Sequence, residues 1–273
     1  MALFGSAFVV GKLVLNTTLP PILFGAIRML IVFICLLPFW RFELPNKKYF
    51  ILLTIFSLSM GVLVTLFMYL AMEKSSIVSP IIIGAQLTVP VGIILSSIFL
   101  NEKISYNKWF FVLTSFCGII LIGFDPEILN NILTLTLTAL MAFFYAVANV
   151  VSRQIKDISV ITQTALMSLM GFIILFFMSY YFEGNTINYM KNIDFNTWLL
   201  ILHAAIAVSL IAHMSLFYLY KFYTVGTVFP FYSLFPIFGL IQTFLIFGEI
   251  PSILVTLGGV IVVGSVFILQ KIR

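Results

Sequence analysis

Phe4–Lys12 reads FGSAFVVGK, and Tyr145–Arg153 reads YAVANVVSR. The two stretches align without a gap as aromatic, small, any, Ala, any, Val, Val, small, base. A second echo, EKIS at Glu102–Ser105 against EIPS at Glu249–Ser252, falls at nearly the same separation. Short matches in apolar sequence arise cheaply. Two at nearly the same separation point to a duplicated chain, and a repeat decides the fold before any single motif does.

Of the 273 residues 62% are hydrophobic and 8% charged, far too few charges to cover a soluble globule, which carries about 25%. The solvent must be lipid. Apolar runs over 49–72, 75–101, 128–152, 158–182, 195–220, 222–248 and 250–270 each reach the roughly 20 residues that a membrane-crossing helix needs. Shorter runs over 20–39, 109–124 and 1–15 complete ten spans. The reading is an all-α integral membrane protein of ten transmembrane helices in two five-helix repeats, 1–125 and 126–273, meeting at the polar stretch around Pro126. An odd number of spans per repeat makes the second copy enter from the opposite side, so the repeats are inverted.

The first span is short and lacks a basic leader or a cleavage pattern. This favours a truncated start over a signal peptide. Cys35 and Cys117 lie inside apolar spans and read as small hydrophobes. With both termini cytoplasmic, Arg41, Lys47, Lys48, Lys103, Lys108, Arg153, Lys156, Lys221, Lys271 and Arg273 fall inside. Lys74 and Lys191 fall outside, the bias that the positive-inside rule describes. The net charge of +5 is therefore a topology signal and does not call for an acidic partner.

Span four carries Pro80 and Pro90, and its partner, span nine, carries Pro230 and Pro236. Proline frees a backbone carbonyl that lipid cannot satisfy, so such helices belong beside protein or a wet cavity. Proline-broken spans in corresponding places of two halves point to a transport site.

These motifs together resemble the drug/metabolite transporter superfamily and, within it, the EamA-type ten-helix transporters. FGSAFVVGK, LPPILFGAIRM at Leu19–Met29, FLNEKIS at Phe99–Ser105, IFGEIPS at Ile246–Ser252 and GGVIVVG at Gly258–Gly264 carry the resemblance. Phe4 stands where that family usually has Trp, and the family extends further upstream. The resemblance implies a carrier of the inner (cytoplasmic) membrane working by alternating access. It implies no substrate.

All nine acidic residues map to loops or span ends, which argues against carboxylate-driven ion coupling. Arg28 lies about 12 Å into span two at 1.5 Å per residue, and its repeat counterpart is Leu169. An embedded cation without an embedded acid favours an anionic or zwitterionic solute, such as an amino acid, whose carboxylate suits the guanidinium fork. Snorkelling or packing is the competing account of Arg28. His203 and His213 stand about 280° apart around a helix and do not form a metal pair. His213, with Ser209 and Tyr220 on its face, is the one placed on the pathway.

Gln86, Asn149, Tyr232 and Ser233 complete the substrate-binding set, with Gln242 as a further buried amide. Each is either glue between helices or a ligand contact. Lys12 with Glu249 outside, and Arg153 with Glu102 inside, form a symmetric pair of latches, or else anchor their helix ends separately. No metal and no cofactor are expected. The expected partners are a small solute and the bilayer, not nucleic acid, with the chain a monomer or homodimer. A membrane-embedded enzyme is the main rival, but no nucleophile, acid–base or metal constellation falls within the spans. A helical scaffold subunit would not require matched proline breaks.

Overall fold

The computed structural model describes residues 1–41, 46–101, 105–125, 131–232 and 234–271, without the side chains of 108, 123, 226, 229, 230, 232, 266 and 269–271. All regular structure in this range is helical. Six helices are long and apolar enough to cross a membrane: Pro21–Phe39, Lys47–Lys74, Ser79–Phe99, Ile132–Gln154, Val160–Phe182 and Phe195–Phe222. Ala2–Leu15, Trp109–Ile122, Phe235–Phe247 and Ile253–Ser265 are shorter apolar helices.

In chain order the helices are α1 (Ala2–Leu15), α2 (Pro21–Leu36), α3 (Lys47–Lys74), α4 (Ser79–Phe99), α5 (Tyr106–Gly123) and α6 (Ile132–Gln154). They continue with α7 (Val160–Phe182), α8 (Phe195–Phe222), α9 (Val225–Tyr232), α10 (Phe235–Phe247) and α11 (Ile253–Lys271). The apolar run over 222–248 is thus two helices, with Pro236 in the first turn of α10, where a missing N–H costs nothing.

Apolar composition alone does not hold helices together in lipid, so they associate where small residues let backbones approach. Three glycine pairs do this. A Cβ on Gly5 of α1 would lie 2.6 Å from the Gly239 nitrogen of α10; one on Gly171 of α7 would lie 2.8 Å from the Gly61 carbonyl of α3. A Cβ on Gly118 of α5 would lie 2.8 Å from the Gly258 carbonyl of α11. α2 packs along α7, and α6 lies between α3 and α4.

Both α3 and α8 relax into π-helix midway, at Ser57–Val64 and His203–His213. Such i→i+5 stretches concentrate at functional sites. Between its two prolines α4 tightens into a 3₁₀ turn at Ala85–Leu87. Pro90 lacks the N–H that would reach the Gln86 carbonyl.

Gly258→Ala drives a methyl into the Gly118 carbonyl at 2.6 Å and is expected to destabilise the protein by about 1–3 kcal/mol. Gly264→Ala, where a Cβ meets nothing within 4 Å, is the control. Unfolding temperatures in detergent check the difference; equal shifts for both variants would refute the close approach.

Candidate functional site

Arg28 sits in mid-α2 and is 4% exposed. Its Nη2 donates to Thr65 Oγ1 of α3 at 2.8 Å, and its guanidinium carbon lies 5.2 Å from the Tyr69 ring centroid. Its Nε, although buried, has no hydrogen-bond partner. The one ion pair among the described residues is Lys74–Glu73 at 3.1 Å, so no carboxylate neutralises this guanidinium. Thr65 in turn donates to Met60 O, five residues back in the π stretch, at 3.4 Å. Arg28 therefore rests on one hydroxyl and one ring, with most of its five donors uncommitted.

The same cavity holds His213 of α8. Its Nδ1 is 2.9 Å from Val208 O, again five residues back in a π stretch. A carbonyl only accepts, so Nδ1 carries the proton, and in the neutral ring Nε2 is an acceptor. The ring stands edge-on to Phe4 at 4.9 Å and to Tyr145 at 5.9 Å. These are the leading aromatics of the two aligned stretches, and both line the cavity. The wall also takes Met60 and Val64 from one π stretch and Val208 from the other, with Thr88 from α4. Its volume is about 40 Å³, room for about three waters.

The other expected site residues are placed elsewhere. Gln86 and Asn149 are wholly buried but off the cavity wall, which α4 and α6 supply through Ala85, Thr88, Met141 and Tyr145. Asn149 Nδ2 donates to Tyr145 O at 2.7 Å, while its Oδ1 has no partner. Gln242 Nε2 reaches Ala2 O at 3.4 Å, and His203 Nε2 and Ser6 Oγ share a hydrogen bond at 2.9 Å, both tying helices together. Tyr232's side chain, Ser233 and Glu102 lie outside the described residues.

Lys12 and Glu249 are not joined as a latch here, because each is occupied by a helix end. Lys12 Nζ donates to Met72 O at 3.0 Å and Ser75 O at 2.7 Å, closing the C-terminus of α3. Arg153 Nη1 does the same for α8, donating to Tyr220 O at 2.6 Å and Lys221 O at 3.1 Å. Glu249 follows Gly248, whose φ of 66° is the left-handed turn that ends α10. Its carboxylate accepts from Val78 N at 2.9 Å and Ser79 N at 2.7 Å at the start of α4.

Glu183, which the sequence reading left without a role, caps α2 in the same way, accepting from Ile22 N at 2.6 Å and Leu23 N at 2.9 Å. Thr65, Tyr69, Thr88 and Tyr145 were likewise missed. Tyr145 alone carried a signal, because it heads the repeated motif.

Burial pushes the Glu183 carboxyl above its ordinary value of 4.5, against the downward pull of the Ile22 and Leu23 N–H groups. A carboxyl with a raised folded-state pKa keeps its proton longer when folded. Stability is then full below 4.5 and falls as pH rises through the raised value. Melting temperatures measured from about pH 4 to about pH 7 should decline through that window, and Glu183→Gln should flatten the decline. An identical slope in both proteins would exclude Glu183 as its source.

The sequence profile of the EamA-like transporter family matches residues 1–124 and 132–270. A protein of Acidianus ambivalens named "Uncharacterized transporter in sor 3'region" is 28% identical over 174 residues, which are 62% of this chain and 66% of that one. The matched stretch thus spans just under two thirds of that relative. A solved crystal structure superposes with a TM-score of 0.67 at 16% identity over 98% of both chains, a likeness of fold.

Proposed function

We propose that this chain, which belongs to the EamA-like transporter family, is a secondary carrier moving a small anionic or zwitterionic metabolite by alternating access through the Arg28 cavity. The observation that carries this reading is the uncompensated guanidinium. A cation this deeply buried costs several kcal/mol and is kept where it works. Arg28 is 4% exposed, faces a cavity and has an unpartnered Nε. A carboxylate or phosphate would supply the missing counter-charge in the bidentate geometry that Arg favours. A cavity of about 40 Å³ is too small for any metabolite, so binding requires the surrounding helices to part.

Ten spans in two inverted repeats, 1–125 and 126–273, provide the frame for such parting. Three matched features support the arrangement. π stretches interrupt α3 and α8, Lys12 and Arg153 close the C-termini of those same helices, and Phe4 and Tyr145 flank one imidazole. The distribution of lysine and arginine favours both termini cytoplasmic, and the family resemblance implies the inner membrane.

Counterflow in proteoliposomes with pooled labelled amino acids and anionic metabolites tests the function. Arg28→Ala is expected to lower exchange about 10- to 100-fold, the loss of hydrogen bonds to a charged group, and Arg28→Lys to restore only part of it. Unchanged exchange in both variants would remove Arg28 from the mechanism. For the topology, Lys191→Cys should react with an impermeant thiol reagent on intact cells, and Lys156→Cys only after permeabilisation. The opposite pattern would invert the orientation.

A further inference from the structure

A second cavity, of about 240 Å³, opens at the Lys74 end of the molecule between the start of α4 and the start of α6. Pro80 and Ile81 line it from α4, and Thr134, Leu135 and Thr138 from α6, with Lys74 to Ile77 across its mouth. Thr134 is 7% exposed, and its Oγ1 has no hydrogen-bond partner, an uncommitted polar group in the wall of a chamber of mixed lining.

The residues below it continue the same two helical faces. On α6, Thr134 and Thr138 of this chamber are followed at helical spacing by Met141 and Tyr145 of the Arg28 cavity. On α4, Ile81 is followed by Ala85 and Thr88. Between the two sets of lining residues, Thr138 lies against Gly84. A Cβ built on Gly84 would stand 2.7 Å from Thr138 Cγ2 and 3.8 Å from Thr138 Cβ. Thr138 of one lining and Met141 of the other are about one helical turn apart along α6, roughly 5 Å at 1.5 Å per residue.

We infer that the α4/α6 seam is the outer access path of the carrier, with the Lys74–Thr134 chamber as its antechamber and the Gly84–Thr138 contact as its constriction. The occupant of the antechamber is the same small anionic or zwitterionic solute, so the inference rests on the reading of the Arg28 cavity as the transport site. The polar groups that would meet it are the Thr134 hydroxyl, the Lys74 ammonium with its Glu73 partner, and Asn131, whose Nδ2 already donates to Lys74 O at 2.5 Å. Passage requires Thr138 to leave Gly84, which parts α4 from α6.

The geometry supplies its own test, since a Cβ separation near 3.8 Å is that of a disulfide. Gly84→Cys/Thr138→Cys is made with Cys35 and Cys117 replaced by Ser, and replacing Thr138 also removes the methyl that would crowd the new Cβ. Mass analysis reads disulfide formation, counterflow of the labelled pool reads exchange with and without dithiothreitol, and elution as a single species checks folding. The expected result is a cross-link on mild oxidation, at least a tenfold loss of exchange, and recovery on reduction. Thr134→Cys should react with external sulfonatoethyl methanethiosulfonate, whereas Met141→Cys should react at least tenfold faster with Thr138→Ala present than with Thr138→Leu.

Exchange that continues with the disulfide formed would overturn the inference, as would labelling of Met141→Cys that ignores the size of residue 138. Failure to cross-link under oxidation would also refute the contact. Normal exchange in Arg28→Ala beside a blocking cross-link would sink the Arg28 reading and leave the path intact, so the two failures are distinguishable.

Discussion

A guanidinium placed in hydrocarbon without a counter-ion must be held by dipoles and rings, and much of the molecule serves that requirement at Arg28. Its one hydrogen bond goes to Thr65, and Thr65 is within reach because Gly25, one turn before Arg28, has no side chain. A Cβ there would lie 2.7 Å from Thr65 Cγ2. Tyr69, one turn beyond Thr65, offers its ring to the cation and stacks on Phe24 at 4.3 Å. The close approach of α2 to α3, the small residue that permits it and the polar side chain that exploits it form one arrangement.

The remaining charges solve a different problem. A helix end exposes four backbone donors or acceptors, and near the membrane interface these need partners. Glu183 and Glu249 serve the N-termini of α2 and α4, and Lys12 and Arg153 the C-termini of α3 and α8. Each charge has the sign that the helix dipole asks for at that end. Three of the four were legible in the sequence as important, read either as latches, Lys12 with Glu249 and Arg153 with Glu102, or as separate anchors of helix ends. The reason is physical: with few charges in an apolar chain, opposite signs invite pairing on paper. The backbone groups that compete for them carry no letter in the sequence.

Other parts of the molecule divide along the same line. The membrane character and the helices could be read from composition and run length, because lipid imposes both. Arg28 could be read because a lone charge in an apolar run is conspicuous. Thr65 and Tyr69 could not, since a threonine and a tyrosine in an apolar helix look alike whether they hold a cation or face lipid. Gln86 and Asn149 attracted notice for their polarity, yet both are buried off the wall. Polarity signals that a partner is needed without saying whether the partner is a helix or a ligand. The π stretches left no trace, since a single extra residue per turn does not disturb an apolar pattern that is hydrophobic all round.

The two halves contribute to the cavity unequally, and the inequality has a consequence for recognition. Phe4 and Tyr145, in aligned positions of the sequence, both stand edge-on to His213. Arg28 has no such twin, because Leu169 occupies the aligned place. A site built wholly from repeated parts would treat both ends of a ligand alike. Here the charge lies with α2 and the hydrogen-bonding imidazole with α8, so under the proposed function a solute in this cavity would meet different chemistry at its two ends. The proposed function then calls for an unsymmetrical solute with its anionic group toward α2, discriminated by Arg28, whose aligned position is Leu169.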